Sequence, residues 1–464
     1  MIVMKFGGTS VEDARAITQA IALVARQKDN YPVVVLSAIA GATDALLKSA
    51  DLSVSDDFNR ANSILNDLLE RHVLIAENLI ESRSVVQQLI FDLRKQFEEL
   101  RNLCRSIAIL GELTKRSIDT IAAMGELASS LIFAEAIRSR KLDAVWIDAR
   151  EFIITDDHFG NATPLFDDIG EKARGRIMPH IRKKQIVITQ GFIGATRRNV
   201  TTTLGRGGSD YSAAIIGAAI NADEIQIWTD VDGILTADPR ITPNARKLKM
   251  ISYSEASELA YFGAKVLHPS TLRPAVQKNI PVVVLNSKRP NSTGTRVVAN
   301  PPATGVSVKS IANKRGITVV NIRAARFMTA NHFMDAILQA FEKFHTPIDL
   351  INTSVASASL TVGNAENLDA ILPELALFSE AVVFRDKAIV SIIGERLHST
   401  VGVADRIFRS LGAIDVMMIS QGASELNISL VIDDKSVNEA VSRLHKEFFE
   451  PLPMEKLFEE IVAD

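Results

Sequence analysis

The chain has 464 residues, 47% of them hydrophobic and 23% charged, with a formal net charge of -3. That length exceeds one ordinary domain, and the near-neutral balance leaves no basic footprint for nucleic acid or an anionic membrane surface. A single cysteine, Cys104, excludes an intramolecular disulfide and any multi-cysteine metal site.

The first residues enter a strand directly, so no leader segment is expected ahead of it. No run of about 18 or more apolar residues is read as a membrane span, and the expected location is the cytoplasm. Through residue 300 one theme repeats: a short apolar run, a Gly/Ser/Thr-rich turn, then a helix-like segment. The runs are 2–6, 33–38, 186–189, 225–228 and 282–285. β-Branched runs without polar alternation predict strands buried on both faces. Their alternation with helices predicts an α/β fold with a mainly parallel sheet between helical layers. The stretch from about 51 to 141 is Leu/Ile/Ala-rich with few glycines. It reads as consecutive helices inserted in the first domain, with Cys104 as a small buried hydrophobe.

A boundary is expected near Arg289-Pro-Asn-Ser-Thr-Gly-Thr and Asn300-Pro-Pro, which are turn and linker compositions. It divides the chain into 1–300 and 301–464. Beyond it the pattern becomes strand 316–322, helix 333–344, and strand, turn, strand over 348–362. A second unit follows: strand 388–393, helix 401–411, strand, turn, strand over 414–432, and helix 436–449. This twofold repeat predicts two α+β modules, at about 315–385 and 386–464.

Chemistry gathers at the ends of the apolar runs. Lys5 is followed by Gly7-Gly8-Thr9-Ser10, and Thr9 with Glu12 fits a capping box opening a helix. A glycine turn ahead of a helix presents N–H groups to an anion, with Lys5 as a mobile positive charge. The same residues also fit a plain tight turn with a lysine snorkelling at a strand end. A second loop sets Gly205, Gly207 and Gly208 around Arg206, and Ser209 and Asp210 lead into an Ala-rich helix. Its spacing is neither a dinucleotide fingerprint nor a Walker A loop, and no strand feeds it in the way usual for the former. Glycines around an arginine suit closure of backbone and guanidinium on a carboxylate or phosphate. Ser37, Thr43-Asp44 and Thr229-Asp230 stand at further strand ends, where open α/β sheets bind ligands.

Together Lys5-Phe-Gly-Gly-Thr-Ser, the Arg206 loop, Trp228-Thr-Asp-Val-Asp-Gly and Phe262-Gly-Ala-Lys-Val-Leu-His-Pro resemble the signature segments of the aspartate kinases. These form a branch of the amino-acid kinase superfamily. Gly111-Glu-Leu-Thr and Met124-Gly-Glu fit the same pattern, and the C-terminal modules resemble paired ACT domains, which are ferredoxin-like. The resemblance implies Mg²⁺-ATP-dependent phosphorylation of the L-aspartate side chain, feedback inhibition by lysine and/or threonine, and a homodimer formed through the ACT modules.

By the same resemblance Arg206 takes the α-carboxylate of aspartate and Glu126 its α-ammonium. Ser37, Thr43, Gly207, Gly208 and Ser209 complete that side. Lys5, Gly7, Gly8 and Ser10 lie against the ATP phosphates, and Thr229, Asp230, Leu235, Arg240, Lys265 and Val266 form the nucleotide side. Leu235 stands where relatives usually carry an aromatic residue. Lys5, Lys265 and Mg²⁺ would neutralise the transferring phosphoryl group, with Asp210 organising the lysines. Effector contacts are implied at Asp349, Ser354, Val355, His332 and Phe333. Val355 replaces a glutamate common in lysine-sensitive relatives, and His332 a glycine. No metal site is expected, since the histidines show no ligand spacing. The rival readings are a glutamate kinase, a non-catalytic amino-acid sensor and a bifunctional kinase–dehydrogenase. The set Glu126, Thr43 and Arg206, the full complement of competent residues, and the lack of a GxGxxG segment argue against them in turn.

Overall fold

The computed structural model describes residues 1–55, 57–263, 267, 269–302, 306–325, 329–452 and 458–459. Described residues up to Ile234, with Lys249–Tyr253 and those from 267 to 301, form one compact unit; the others form a second.

The first unit runs β1 (Ile2–Phe6), α1 (Ala14–Arg26), β2 (Pro32–Leu36), then five helices. These are α2 (Ala42–Val54), α3 (Phe58–Leu79), α4 (Arg83–Leu110), α5 (Lys115–Ala122) and α6 (Met124–Ser139). It continues with β3 (Ala144–Trp146), β4 (Ile154–Thr155), α7 (Phe166–Arg182), β5 (Ile186–Gln190), β6 (Ile193–Thr196), β7 (Thr201–Thr203), α8 (Gly208–Ile220) and β8 (Glu224–Thr229). The main sheet has the order Met250–Ser252, Thr295–Val298, Val282–Asn286, β8, β1, β2, β5, β3. Every pair is parallel except Val282–Asn286 with Thr295–Val298. All residues of β1, β2, β5 and Val282–Asn286 are buried, as expected for strands covered on both faces. Because the central strands are parallel, Phe6, Leu36, Gln190, Thr229 and Asn286 all end at one edge. That edge holds the site.

The inserted helices share a continuous apolar core with the sheet. Cys104 is fully buried in it, and Phe6 stacks on Trp228 with centroids 6.0 Å apart. Burial pushes the Cys104 thiol pKa up. By length and composition alone, Lys115–Ser139 is long and apolar enough to cross a membrane. It breaks at Ala123, and 78% of its most apolar window is buried in the unit. There α6 packs on β3, β5, α3 and α4, which explains its all-round apolarity.

The capping box is also corrected. Gly8–Ser10 make one 3₁₀ turn, and α1 begins only at Ala14, where the Asp13 carboxylate accepts from the Ala16 N–H at 2.8 Å. Ser10 is pinned outward from α1 by hydrogen bonds from its hydroxyl to Trp228 O and Ser287 Oγ. The chain therefore turns before it coils, and Asp13, a strong N-cap residue, starts the helix.

The second unit carries a wholly antiparallel six-stranded sheet. Its order is Leu350–Thr353, Ser357–Val362, Val308–Ala324, Ser379–Gly394, Asn427–Asp433, Val416–Gln421. The two long central strands pass through both repeats. Residues 317–324 pair with 379–387, and 308–314 pair with 389–394, with a register shift between Lys314 and Ile317. One sheet thus serves both modules. Helix Leu368–Ala376 was not foreseen; it is short, contains Pro373, and buries Leu368, Ile371 and Leu375.

Candidate active site

At the carboxyl edge of the parallel sheet, the first unit encloses a cavity of about 430 Å³. Lys5 reaches it from β1 and Gly8 from the turn that follows. Ser37 and residues 38–41 come from the β2–α2 loop, and Thr43 and Asp44 from the first turn of α2. Glu126 comes from α6, Phe192 from beyond β5, and residues 205–210 from the start of α8. Twelve residues picked from the sequence therefore share one cavity: Lys5, Gly8, Ser37, Thr43, Asp44, Glu126, Gly205, Arg206, Gly207, Gly208, Ser209 and Asp210.

Local packing explains the motifs. Gly207 is the N-cap of α8 with φ 71, a left-handed conformation that glycine adopts without strain. It leads into the first turn of α8, where the Gly208 N–H donates to Gly205 O at 3.0 Å and Gly208, Ser209 and Asp210 line the cavity. A Cβ on Gly125 would lie 2.7 Å from the Ala38 Cβ, so this glycine lets α6 approach the β2–α2 loop and bring Glu126 to the cavity. Ser129 Oγ, one turn later, donates to Ser37 O at 2.7 Å.

The charges are arranged unequally. Lys5 Nζ lies 2.6 Å from Asp210 Oδ1, both side chains largely buried. Glu126 is 3% exposed, and its Oε2 has no hydrogen-bond partner. Burial pushes its pKa up to about 8, with backbone N–H groups at Ala38 and at Glu126 itself pulling the other way. Arg206 is exposed, with no ion pair among the described residues. A buried carboxyl with a bare oxygen, an exposed guanidinium and a lysine paired with a carboxylate thus border one cavity.

The other described sequence candidates do not line this cavity. Gly7, whose N–H donates to Trp228 O at 3.0 Å, and buried Ser10 stand on the same sheet edge without lining the cavity. So do Thr229 and Asp230, joined by a 3.1 Å hydrogen bond. Leu235 and Arg240 belong to the second unit. The Arg240 guanidinium forks onto Asp238, with Nη2 to Oδ2 at 2.7 Å. Lys265 and Val266 lie outside the described residues.

The sequence reading missed several participants. Phe192 lines the cavity with φ 66, a backbone conformation rare for a bulky residue. Its only signal was its place after Gln190-Gly191, at a strand end left unused. The strand ahead of the Arg206 loop is the short β7, which belongs to a separate small sheet with β4 and β6 and not to the parallel sheet. Asp119 on α5 pins it, accepting from the Thr203 N–H and hydroxyl and from the Gly160 N–H. Burial holds the Asp119 pKa above the usual carboxylate range against those hydrogen bonds.

In the second unit the Asp349 carboxylate is taken by Lys314 Nζ at 2.6 Å. The Ser354 N–H donates to Ser357 O within the turn, and Val355 is 82% exposed. His332 is exposed beside Thr329, whereas Phe333 is buried in the core, edge-on to Phe378 at 6.3 Å. Phe333 is thus a packing residue in this structure. Among the described residues no group of three or more His, Cys, Asp or Glu side chains could hold a metal ion. Asp44 and Asp210, which face the cavity, can offer single oxygens to a cation held mainly by phosphates, which suits Mg²⁺.

A family model for the amino acid kinase family matches residues 1–286, and an ACT domain model matches residues 390–448. The chain is 35% identical to the lysine-sensitive aspartokinase 3 of Escherichia coli (strain K12), over 97% of this chain and 99% of that one. Among solved structures, E. coli aspartokinase III in complex with aspartate and ADP (R-state) gives a TM-score of 0.84 at 33% identity, covering 97% of this chain and 100% of that one. The structure of E. coli aspartokinase III with lysine and aspartate (T-state) gives 0.82 at 34% identity with the same coverage.

Proposed function

The chain belongs to the amino acid kinase family and, within it, to the aspartokinases, and we propose that it moves the γ-phosphoryl group of ATP onto the β-carboxylate of L-aspartate. The product is 4-phospho-L-aspartate, the first intermediate toward lysine, threonine and methionine. One observation carries the substrate assignment: the partnerless Glu126 Oε2 is buried in the same cavity as Arg206 and the Lys5–Asp210 pair. The α-ammonium of aspartate fits Glu126, and its α-carboxylate fits the Arg206 fork, leaving the β-carboxylate for Lys5's side of the cavity.

The nucleophile needs no general base, since a carboxylate with a reference pKa of about 3.9 is already ionised at neutral pH. The difficulty is bringing it onto a polyanion, so catalysis amounts to positioning and charge neutralisation. Lys5 supplies fixed positive charge, oriented by Asp210. Lys265 is assigned the same work on the nucleotide side, with Thr229, Asp230 and Arg240. Asp44 and Asp210 would help hold Mg²⁺, which would supply further positive charge to the phosphates of ATP.

Feedback control by lysine, alone or with threonine, is part of the proposal, supported by the name of the E. coli relative. An effector ammonium using Asp349 must displace Lys314, and Val355 adds no charge to help it. Pairing of two chains through the ACT modules completes the reading. A coupled assay of ADP release with aspartate, glutamate, and aspartate plus lysine or threonine tests it. Turnover with glutamate but not aspartate overturns the substrate, and indifference to both effectors overturns the regulation. A monomer mass in solution overturns the pairing.

A further inference from the structure

The β2–α2 loop forms a wall of the cavity, and one of its carbonyls is held from outside the parallel sheet. Arg71 on α3, half-buried, donates from Nη1 to Ala40 O at 2.7 Å and from Nη2 to Glu12 O at 3.0 Å. Glu12 lies between the Gly8–Ser10 turn and α1, and its carboxylate accepts from Lys288 Nζ at 3.3 Å, just beyond Val282–Asn286. The register of Arg71 on α3 is fixed by its neighbour: His72 is fully buried, hydrogen-bonded to Leu68 O and packed on Phe97.

We propose that Arg71 is a positioning residue for the phosphoryl transfer, one guanidinium that holds the loops after β1 and β2 at a set separation. It reaches the reaction only through those two carbonyls. Ala40 lies between Ser37 and Thr43, and Glu12 follows the turn that starts beside Lys5, so the brace keeps the hydroxyls of one loop in register with the lysine of the other. A planar fork with fixed donor spacing suits two carbonyls on separate segments. An ammonium on a flexible stem cannot hold both in one geometry. The inserted helices thereby gain a part in catalysis that their distance in sequence from the motifs conceals. The inference rests on the cavity being the transfer site, but the brace itself can be measured without activity.

Amide hydrogen exchange on the free full-length protein provides that measurement. Arg71→Ala should speed exchange in residues 7–13 and 37–45 by about tenfold while leaving Ile186–Gln190 protected, as expected for losing charge-assisted hydrogen bonds. In the assay, kcat with aspartate should fall by roughly 10- to 100-fold, as small misplacements do. Arg71→Lys should regain only part of the rate, and added methylguanidinium should restore part of it to Arg71→Ala. Unchanged exchange in both loops, loss of protection throughout the sheet, or kcat within about twofold of the parent overturns the proposal. A parent protein inactive with aspartate and ATP sinks the proposed function instead, and the exchange experiment still decides whether Arg71 braces the loops.

Discussion

Glu126 makes the sharpest prediction, because the substrate must reverse what burial does to it. In the free protein its pKa is raised from 4.5 to about 8, so at pH 7 only about one molecule in ten carries the carboxylate. An ammonium seated against Oε2 needs that carboxylate, so binding should release about 0.9 proton per aspartate at pH 7, and affinity should weaken about tenfold per pH unit below 8, or ~1.4 kcal/mol. Titration calorimetry of aspartate, in two buffers of different ionisation enthalpy from pH 6.5 to 8.5, reads both quantities. Affinity should climb to a plateau near pH 8, and Glu126→Gln should bind weakly without a slope. Stability should move the opposite way. With the folded pKa above the unfolded one, the neutral form favours folding; that stability is complete below pH 4.5 and is lost as pH rises toward 8. Glu126→Gln should therefore be more stable than the parent at pH 8, by a few kcal/mol. Aspartate affinity independent of pH with no proton release, or a Gln variant binding as tightly as the parent, refutes the reasoning.

Lys5→Ala should lower kcat about a thousandfold or more, since it removes fixed positive charge from the transferring group and leaves Asp210 without its 2.6 Å partner; near-normal turnover in the coupled assay takes Lys5 out of the mechanism. Arg206→Lys should raise the KM for aspartate by about tenfold and leave that for ATP alone, because a point charge replaces a fork; equal rises in both would place Arg206 outside the aspartate subsite. Burial lowers the His72 pKa from 6.5 to about 4, so its neutral form favours folding. That contribution is complete above pH 6.5 and is lost as pH falls toward 4, about 3 kcal/mol in all. Thermal melts of His72→Leu should show a shallower fall between pH 7 and 4.5, and an identical fall excludes His72 as a source of acid sensitivity.

Parallel strands covered on both faces read as near-continuous apolar runs, which is why β1, β2, β5, β8 and Val282–Asn286 were legible to within a residue or two. The same regularity made the site partly legible: polar groups at the ends of such strands, Lys5 and Ser37 among them, meet because the ends meet, whereas the Arg206 loop arrives from β7 of the small side sheet. Phe192 was invisible, since an aromatic residue after a strand reads as core until its positive φ is known. Asp119 and Arg71 read as helix residues, one beside an ordinary Thr-rich stretch and the other among charged neighbours. The Thr9–Glu12 capping box failed because a local pattern lost to Asp13 and to the hydrogen bonds that pull Ser10 toward Trp228 and Ser287.

Residue order alone thus determined the layered parallel sheet and the helical run between β2 and β3, both of which follow from local periodicity and turn chemistry. Which side chains are starved of partners, which are clamped and which hold a loop from behind was decided only by the packed chain. Glu126 is acidic anywhere, but it becomes nearly neutral only where Gly125 lets α6 press against Ala38 and water is excluded. Arg71 becomes a brace only because α3 carries it to two carbonyls some thirty and sixty residues away. Those properties arise from desolvation and long-range hydrogen bonding, which depend on neighbours in space that neighbours along the chain do not specify.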